Sequence, residues 1–305
     1  MTLEDKKNDL KNFFCRQKNI LIAYSGGVDS SLLASFAAET PHLKALAVTF
    51  QSEFVCDREI EDAKKTALDI GIPHMVLNQK FFDISDIQNN RKNRCYVCKK
   101  ELFRQLLIFA EENGYDLILE GTNYSDIGMG GADFSGAETD NEKKNKVLRP
   151  GFAALEELKQ EQKKKGAAAP MIAAPLTDFK ITKEEIRKLA AEMNLKTAQK
   201  PSMSCLATRF SYDTLLTPNM VKTIDDAERM LHGIGLTQVR IRCHTDSENR
   251  KIARIEIEKS ECPLFFDDKN KKQVNDFILF LKQNGLTYLT VDLEGFRSGS
   301  MDLTG

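Results

Sequence analysis

Short apolar runs alternate with amphipathic stretches along roughly the first 120 residues of the chain. The apolar runs lie at 19–24, 43–50, 73–78 and 115–123, and helical patterns lie at 2–16, 30–39, 58–71 and 99–114. Continuous apolar strands that alternate with helices are typical of a parallel sheet covered on both faces. We therefore predict a doubly wound α/β domain, whose ligands bind at the carboxyl ends of its strands.

The pattern changes twice in the second half of the chain. Residues 127–148 are rich in Gly, Asp, Asn and Lys, which predicts a flexible loop insertion. Beyond Pro218, a helix, two strands, a second helix and a third strand predict a smaller α+β unit with an antiparallel sheet. We predict a first domain at 1–216 and a C-terminal domain at 217–305, the latter for substrate binding or oligomerisation.

Composition narrows the class of protein. The 305 residues carry a formal net charge of −1, which argues against broad, non-specific nucleic-acid binding. No run of 18 apolar residues predicts a membrane span, and the N-terminus lacks a signal core, so we expect a cytoplasmic protein. Seven cysteines are too few for a disulfide scaffold; in a reducing compartment, clustered cysteines more often bind metal or take part in catalysis.

The strongest chemical signal is SGGVDSS, residues 25–31, between a predicted strand and a predicted helix. Two glycines allow a tight turn close to an anion, and the following amides begin a helix, where the dipole favours negative charge. Ser25, Ser30 and Ser31 add hydroxyl donors, and Asp29 can hold Mg²⁺ against phosphates. The pattern differs from the G-x-x-x-x-G-K-[ST] loop. The alternative is a glycine turn with chance serines.

Three cysteines are candidates for chemistry. Cys205 lies four residues before Arg209, whose guanidinium would lower the pKa of a nearby thiol; the alternative is a buried, inert cysteine. Cys95 and Cys98 have the C-x-x-C spacing of half a zinc or iron–sulfur site. The same spacing also occurs in redox pairs.

Arginines near the C-terminus suggest an anion site. In a strand, Arg240 and Arg242 would share one face, and two adjacent guanidiniums repel unless an anion such as a phosphate lies between them. Solvated surface arginines are the alternative. Arg297 lies among glycines and serines at 292–302, which is a weaker signal for an anion-binding turn.

These motifs resemble known families. The 25–31 segment resembles the loop of the ATP pyrophosphatases (adenine-nucleotide α-hydrolase-like enzymes), such as GMP synthetase, NAD synthetase and the tRNA thiolases, which form AMP and pyrophosphate while adenylating a carbonyl or carboxyl oxygen. Nearly the whole chain resembles the LarE family of ATP-dependent sulfur transferases, which make the nickel-pincer nucleotide cofactor of lactate racemase. The shared motifs are S-G-G-V-D-S-S (25–31), R-C-Y-x-C-K-K-x-L-F (94–103), E-G-T-N-x-x-D (120–126), R-P-G (149–151), K-P-S-x-x-C-L-A-[ST]-R (200–209), V-R-x-R (239–242) and D-L-E-G-[FY]-R-S-G-S-M (292–301).

The resemblance implies a role for each candidate residue. ATP and Mg²⁺ would be bound by Ser25, Gly26, Gly27, Val28, Asp29, Ser30, Ser31, Gly121, Asn123 and Asp126. The mononucleotide substrate would be held by Arg209, Arg240, Arg242, Arg297 and Ser298. Catalysis would depend on Cys205, Asp29 and Arg209.

One branch of the LarE family has a single cysteine, equivalent to Cys205, and sacrifices its sulfur. The other branch has three, equivalent to Cys95, Cys98 and Cys205, which are thought to hold a [4Fe–4S] cluster. This chain has all three, so the resemblance implies the cluster type. The chain departs from the family pattern at two places. Additional residues lie between E-G-T-N-x-x-D and R-P-G and could alter the entrance to the substrate site. Thr208 stands where the family more often has serine.

The resemblance thus implies an enzyme that adenylates pyridinium-3,5-biscarboxylic acid mononucleotide and converts its carboxylates to thiocarboxylates, with sulfide delivered by the cluster. We expect a homo-oligomer, no nucleic-acid partner and an unspecified sulfide donor. A tRNA thiolase shares the loop and can share a three-cysteine cluster. An iron–sulfur or ATP-responsive sensor without catalysis is the second alternative.

Overall fold

The computed structural model describes residues 1–128, 150–166, 169–201, 203–297 and 300–301. Most of the predicted insertion, Arg149 and Ser298 lie outside the described residues. The chain forms two compact units. The N-terminal unit comprises Met1–Ser52, Asp57–Gln79 and Asn93–Met203, and the C-terminal unit comprises Glu53–Cys56, Lys80–Lys92 and Ser204–Gly305. Residues 204–216 therefore group with the C-terminal unit, whereas the boundary at 216/217 stays a prediction.

The N-terminal unit contains a five-stranded parallel sheet. Its strands are β1 (Asn19–Ala23), β2 (Lys44–Ser52), β3 (His74–Gln79), β4 (Leu117–Leu119) and β5 (Met171–Ala173). They pair in the order β3-β2-β1-β4-β5, and every pair is parallel. The predicted parallel sheet is confirmed.

The helices, numbered along the chain, are α1 (Leu3–Cys15), α2 (Val28–Glu39), α3 (Asp57–Ile70), α4 (Ser85–Gln88), α5 (Arg94–Asn113), α6 (Tyr124–Gly128), α7 (Pro150–Lys165), α8 (Pro175–Asp178), α9 (Lys183–Glu192), α10 (Pro218–Gly233) and α11 (Lys271–Gln283). Thr182 opens α9 with a capping box: its hydroxyl accepts from the Glu185 amide, and the Glu185 carboxylate accepts from the Thr182 amide. None of the described helices is long and apolar enough to cross a membrane.

Helices cover both faces of this sheet. Successive strand residues point to opposite faces, so Ile20 and Ile22 of β1 lie in one buried cluster and Leu21 lies in another. The first cluster includes residues of α1, α2, α3 and α9, and the second includes residues of α5 and α7. Both faces of the sheet are therefore buried under helices, which explains the uninterrupted apolar runs of the strands and confirms the doubly wound fold.

The sheet order fixes where a ligand can bind in this unit. The chain leaves β1 toward β2 on one side, whereas β4 lies on the other side of β1. The carboxyl ends of β1 and β4 thus flank the switch point at which the winding reverses, and ligands of doubly wound sheets bind in the crevice formed there. The 25–31 segment follows β1, and Glu120-Gly121-Thr122-Asn123 follows β4.

The C-terminal unit has a three-stranded sheet of β6 (Val239–Thr245), β7 (Lys251–Ile257) and β8 (Leu286–Val291). β6 and β7 are antiparallel, but β7 and β8 are parallel. The prediction of an antiparallel sheet is therefore wrong for β8. The reason is the connection: α11 lies between β7 and β8, and a crossover through a helix returns the chain in the same direction.

Candidate functional site

The segment 25–31, here called the nucleotide loop, turns sharply at Gly26. Gly26 has a φ of +69°, and a Cβ built there would lie 2.9 Å from the Cα and Cβ of Ala63 in α3. Both the left-handed backbone and the close helix therefore require glycine. The Ser30 hydroxyl accepts from the Ser25 amide (3.2 Å) and donates to the Gly27 carbonyl (3.2 Å). These bonds hold the turn in one conformation.

The loop presents helix amides to solvent. Gly27 is the N-cap of α2 and has no side chain to cap it, and the first helical bond runs from the Ser31 amide to the Gly27 carbonyl. The amides of Val28, Asp29 and Ser30 thus precede the regular hydrogen-bonding pattern of the helix. Such amides, together with the helix dipole, bind phosphate and other anions.

A cavity of about 170 Å³ lies at this loop. Its lining includes the loop residues Ser25, Gly27 and Asp29 and the lysines Lys183 and Lys200. Lys200 also pairs with Glu59 (3.3 Å) and Asp62 (3.2 Å) of α3. Loop amides and two ammonium groups make the cavity suitable for a polyphosphate.

Asp29 and Glu59 are carboxylates that line this cavity, and Asp29 belongs to the nucleotide loop. Its Oδ2 lies 2.5 Å from the Nζ of Lys183, and the amide of Asn123 donates to its Oδ1 at 3.4 Å. Burial raises the pKa of Asp29, and the ammonium of Lys183 opposes that rise. In this arrangement Lys183 neutralises the carboxylate, so a divalent cation would have to replace its ammonium group at Asp29.

The end of β4 completes the same cavity region. A Cβ on Gly121 would come within 3.3 Å of both the Asp29 Cβ and the Ser30 nitrogen, so a larger residue would require these neighbours to shift by a few tenths of an ångström. Asn123 donates to Asp126 (2.7 Å) as well as to Asp29, which links the two motifs. The structure therefore brings Gly121, Asn123 and Asp126 together with the nucleotide loop. Their roles in ATP binding stay predictions.

Glu120 directly precedes Gly121 at the end of β4. It is almost fully buried, and its Oε2 accepts from the hydroxyl and amide of Thr122 (2.5 and 3.2 Å) and from Lys99 (3.3 Å). Its Oε1 has no hydrogen-bond partner within the described part of the chain. The carboxylate thus connects the end of β4 with α5, the helix that carries the C-x-x-C pair.

Cys95 and Cys98 lie in the first two turns of α5. They are spaced by one helical turn, which places them on the same side of the helix. Neither forms a disulfide; Cys95 is exposed and Cys98 is half-buried. Lys100, two residues further on, pairs with Glu157 of α7 at 2.5 Å and fixes the helix beside them. The pair is accessible to a metal or to another thiol.

Cys205 belongs to the C-terminal unit and is exposed. It immediately precedes a 3-10 helix, Leu206–Arg209, and its segment is held by Arg209. One guanidinium nitrogen of Arg209 donates to the carbonyl and hydroxyl of Ser204 (3.0 and 2.8 Å) and to the Thr208 hydroxyl (3.1 Å). Arg209 therefore positions the backbone around Cys205.

The other edge of Arg209 forms a buried ion pair. Its Nε and Nη2 donate to the two oxygens of Glu228 on α10, each at 2.9 Å, and both side chains are buried. Burial alone would lower the pKa of Arg209, but the Glu228 carboxylate outweighs it and raises the pKa. Glu228 also accepts from the Ile241 amide of β6 at 2.8 Å. The pair thus joins the Cys205 segment, α10 and β6.

Arg240 and Arg242 share one face of β6, as predicted: in the β6–β7 register Arg240 lies opposite Glu256, and Arg242 lies opposite Arg254. They are not surface residues, since only 2% and 4% of their area is exposed. Arg242 pairs with Glu256 (3.0 Å) and donates to the Thr208 carbonyl (2.9 Å). We call Arg209, Arg240, Arg242, Glu228 and Glu256 the arginine cluster.

Arg240 is the cluster arginine that contacts an aromatic ring. Its guanidinium lies over the Phe296 ring at 5.3 Å and donates to the Val239 carbonyl at 2.8 Å. Burial, together with the charge of Arg209, lowers the pKa of Arg240 to about 10. Across the strands, Glu256 is shared with Arg254 (2.8 Å) and Ser300 (2.5 Å). The charges of Arg209 and Arg242 thus repel that of Arg240, and the charge of Glu228 opposes this repulsion.

Arg297 lies at the edge of this network. It pairs with Asp292 (3.3 Å) and Glu294 (2.5 Å), and its side chain is 38% exposed. Its Nε has no hydrogen-bond partner among the described residues. Arg297 is thus a partly accessible guanidinium with unused donor capacity. Ser298, the neighbouring candidate, lies outside the described residues.

Comparisons with known proteins identify the family of the chain. A family model described as asparagine synthase matches residues 18–235. The chain is 30% identical to pyridinium-3,5-bisthiocarboxylic acid mononucleotide synthase of Lactiplantibacillus plantarum, over 99% of this chain and 96% of the relative. The chain belongs to the LarE family, within the ATP pyrophosphatase group. It is also 31% identical, over 98% of both chains, to an uncharacterised protein of Synechocystis.

The tRNA-specific 2-thiouridylase MnmA of Rickettsia massiliae is a more partial match, 30% identical over 61% of this chain and 53% of the relative. It supports the ATP pyrophosphatase fold of the first domain. As a LarE-family member, the chain is an ATP-dependent sulfur transferase enzyme.

The three candidate cluster ligands are divided between the units, with Cys95 and Cys98 in the N-terminal unit and Cys205 in the C-terminal unit. Within the described residues, no group of three His, Cys, Asp or Glu side chains is arranged to hold a metal ion. The [4Fe–4S] cluster therefore stays a prediction. Lys183, Lys200, Glu228 and Glu256 were missed by sequence reasoning. Only Lys183 and Lys200 had a local signal, the capping box and the K-P-S motif.

Proposed function

We propose that the chain converts pyridinium-3,5-biscarboxylic acid mononucleotide to its thiocarboxylate form in an ATP-dependent reaction. The single observation that carries this proposal is the cavity at the nucleotide loop, where helix amides, Asp29 and two lysines converge. The name of the Lactiplantibacillus relative, which covers nearly the whole chain, supports the same substrate class.

The first step is adenylation of a substrate carboxylate. A carboxylate oxygen attacks the α-phosphorus of ATP, the bond to the bridging oxygen breaks, and pyrophosphate leaves with both electrons of that bond. The free amides at the start of α2 bind the departing charge, and Lys183 and Lys200 neutralise it. Asp29 would hold Mg²⁺ on the phosphates once Lys183 has moved from the carboxylate to a phosphate oxygen.

The substrate phosphate would be held at the arginine cluster. Arg240 is the strongest candidate, because burial and the charge of Arg209 lower its pKa, which a bound phosphate would oppose, and Arg297 contributes a partly exposed side chain. Arg242 and Arg209 are already paired with Glu256 and Glu228, so we assign them to positioning: Arg242 supports β6, and Arg209 holds the Cys205 segment. Ser298 remains a proposed contact on sequence grounds.

The second step is attack of sulfur on the acyl carbon, after which AMP departs and a thiocarboxylate remains. Cys205 is exposed and its segment is fixed by Arg209, as a sulfur-handling residue requires. Three cysteines outside disulfides have the donor chemistry of an iron–sulfur site, and two of them lie one helical turn apart. A [4Fe–4S] cluster on Cys95, Cys98 and Cys205 would supply sulfide without consumption of Cys205.

The test measures pyrophosphate release with ATP, Mg²⁺ and the mononucleotide, each omitted in turn. We expect release only when all three are present, and none from Asp29→Ala, whose fold is checked by its circular dichroism spectrum and Tm. Asp69→Ala, at an exposed carboxylate in the same unit, is the matched control and should retain full activity. Release by wild type without the mononucleotide, or full activity of Asp29→Ala, would overturn the proposal.

Transfer of sulfur to tRNA is a second candidate, favoured by the match to the 2-thiouridylase over 61% of the chain. The net charge of −1 disfavours it, since tRNA binding depends on basic surfaces. A gel shift with total tRNA at moderate salt separates the two candidates. We expect no shift; a shift with tRNA-dependent pyrophosphate release would favour the second.

A further inference from the structure

A second cavity, of about 220 Å³, lies wholly within the C-terminal unit. It is bounded by the segment after the Leu206–Arg209 turn, the first turns of α10, the end of β6 and the start of β8. None of the residues of the arginine cluster lines it. The cavity is therefore a separate concave feature, to which the proposed reaction assigns no role.

The polar lining of this cavity includes one lysine and several side chains that have no partner within the described chain. Lys251 is the single charged residue among the described lining residues apart from the titratable His244. Within the described residues, the side chains of Lys251, Ser211, Asn219 and Thr245 have no ion pair or hydrogen bond. One ammonium group, two hydroxyls and an amide thus remain available, and no carboxylate from the described chain competes for them. This is the donor set of an anion site.

The remaining wall is apolar. Phe210, Ile224 and Leu286 line the cavity and are buried to 5% exposure or less. Burial raises the pKa of the Cys243 thiol, which also lines it, to about 12, so this thiol stays neutral near neutral pH and does not repel an anion. The volume lies below the ~300–1,000 Å³ of pockets for drug-sized molecules, which limits a ligand to one ring or a short chain.

Two residues that line the cavity are chain neighbours of arginines in the arginine cluster. Phe210 and Cys243 form a parallel backbone bridge, and each directly follows a cluster arginine, Arg209 or Arg242. In extended backbone, successive side chains point to opposite sides. The arginines accordingly reach Glu228 and Glu256, whereas Phe210 and Cys243 line the cavity. A ligand in the cavity would brace the segment that carries Cys205.

We propose that this cavity binds a small organic anion, a carboxylate or phosphate monoester, with its charge at Lys251 and its apolar body against Phe210, Ile224 and Leu286. Occupancy restrains the Phe210–Cys243 bridge and lowers the accessibility of the Cys205 thiol. The site is independent of ATP and of the mononucleotide. Its test therefore stands whether or not the proposed function holds.

The test is saturation-transfer NMR on the full chain with three probes of one ring each: benzoate, phenyl phosphate and neutral benzyl alcohol. We expect transfer to at least one of the two anions, with benzyl alcohol at least about tenfold weaker, because its oxygen cannot form a charge-assisted bond. Binding of both anions indicates recognition of charge alone, and binding of one identifies the preferred class. Binding of neither anion overturns the proposal.

Two variants locate the binding. Lys251→Gln should weaken binding about tenfold, whereas Lys272→Gln, at an exposed lysine of α11 outside the cavity, should leave it unchanged. Asn219→Phe places a ring over the mouth from an exposed position, so it should block binding while the Tm stays near that of wild type. Unchanged binding in both Lys251→Gln and Asn219→Phe would assign the anion elsewhere and overturn the proposal.

The link to Cys205 is measured by its rate of alkylation with iodoacetamide, read by peptide mass spectrometry. The bound anion, at a concentration near its wild-type Kd, should slow alkylation of Cys205 in wild type and have little effect in Lys251→Gln, whose affinity is about tenfold lower. Alkylation of Cys15, an exposed cysteine in the other unit, is the internal control. An unchanged rate at Cys205 would contradict the proposed restraint.

Discussion

The two units build their anion sites by different means. In the N-terminal unit, the nucleotide loop depends on backbone: glycines permit the turn, and helix amides without partners present positive charge. In the C-terminal unit, the arginine cluster depends on side chains, and three buried guanidiniums are balanced by two buried carboxylates. The geometry of a backbone site is fixed once the fold forms. A cluster of buried charges needs more, because each buried guanidinium destabilises the folded state unless a carboxylate pairs with it.

This difference predicts where single substitutions are most harmful. Glu228→Gln removes the carboxylate from Arg209 and leaves its charge buried. Breaking a buried ion pair from one side costs about 3–5 kcal/mol, so urea unfolding should show a loss of that size. Glu248→Gln, at a carboxylate that is 68% exposed, should change little. Equal stabilities of the two variants would remove the distinction between buried and surface pairs in this unit.

Within the arginine cluster, substitutions can separate a residue that binds the substrate from one that stabilises the fold. Arg240→Met should raise the KM for the mononucleotide by about ten- to a hundredfold, corresponding to roughly 1.5–3 kcal/mol, with a small change in Tm. Arg242→Met should instead lower the Tm, because it leaves the Thr208 carbonyl and half of Glu256 without their donor. The reverse pattern, with KM moved only by Arg242→Met, would exchange the two roles.

Substitutions at two glycines, one in the nucleotide loop and one outside it, separate the effect of backbone strain from that of steric clash. Gly26 and Gly71 both have positive φ, +69° and +81°, but of the two only Gly26 would place an added Cβ within 3 Å of a neighbouring helix. Gly71→Ala should cost about 1–2 kcal/mol from backbone strain and leave pyrophosphate release intact. Gly26→Ala should cost more and abolish release. Full activity in Gly26→Ala would show that the loop does not need its present shape.

The smallest effect concerns Lys183. Burial raises the pKa of Asp29, and Lys183 opposes the rise, so Lys183→Met should raise that pKa further. Asp29 must lose its proton to bind Mg²⁺, and the acid limb of the pH–rate profile should therefore move to higher pH. Lys188→Met, at a lysine of α9 that pairs with exposed Glu184, is the control and should leave the limb in place. If the acid limb of the pH–rate profile does not move in Lys183→Met, the ionisation of Asp29 does not control the rate.

The sequence was informative where function depends on local backbone. The strands, the glycine turn and the shared face of Arg240 and Arg242 follow from periodicity, which is a local property. Partners across the fold could not be predicted: Lys183 meets Asp29 across 154 positions. Likewise, nothing near Arg209 indicates Glu228. The burial of Arg240 and Arg242 is a tertiary property of the same kind. The direction of β8 is a different case, because the helix predicted before it indicates a parallel crossover.

The most direct test of the account is the fate of carboxylate oxygen. The mononucleotide is prepared with ¹⁸O in its carboxylates and incubated with ATP, Mg²⁺ and the enzyme, and the nucleotide product is analysed by mass spectrometry. If a carboxylate oxygen attacks the α-phosphorus and sulfur then displaces AMP, the AMP carries one ¹⁸O per thiocarboxylate formed. Unlabelled AMP, or formation of ADP and phosphate, would contradict adenylation of the carboxylate.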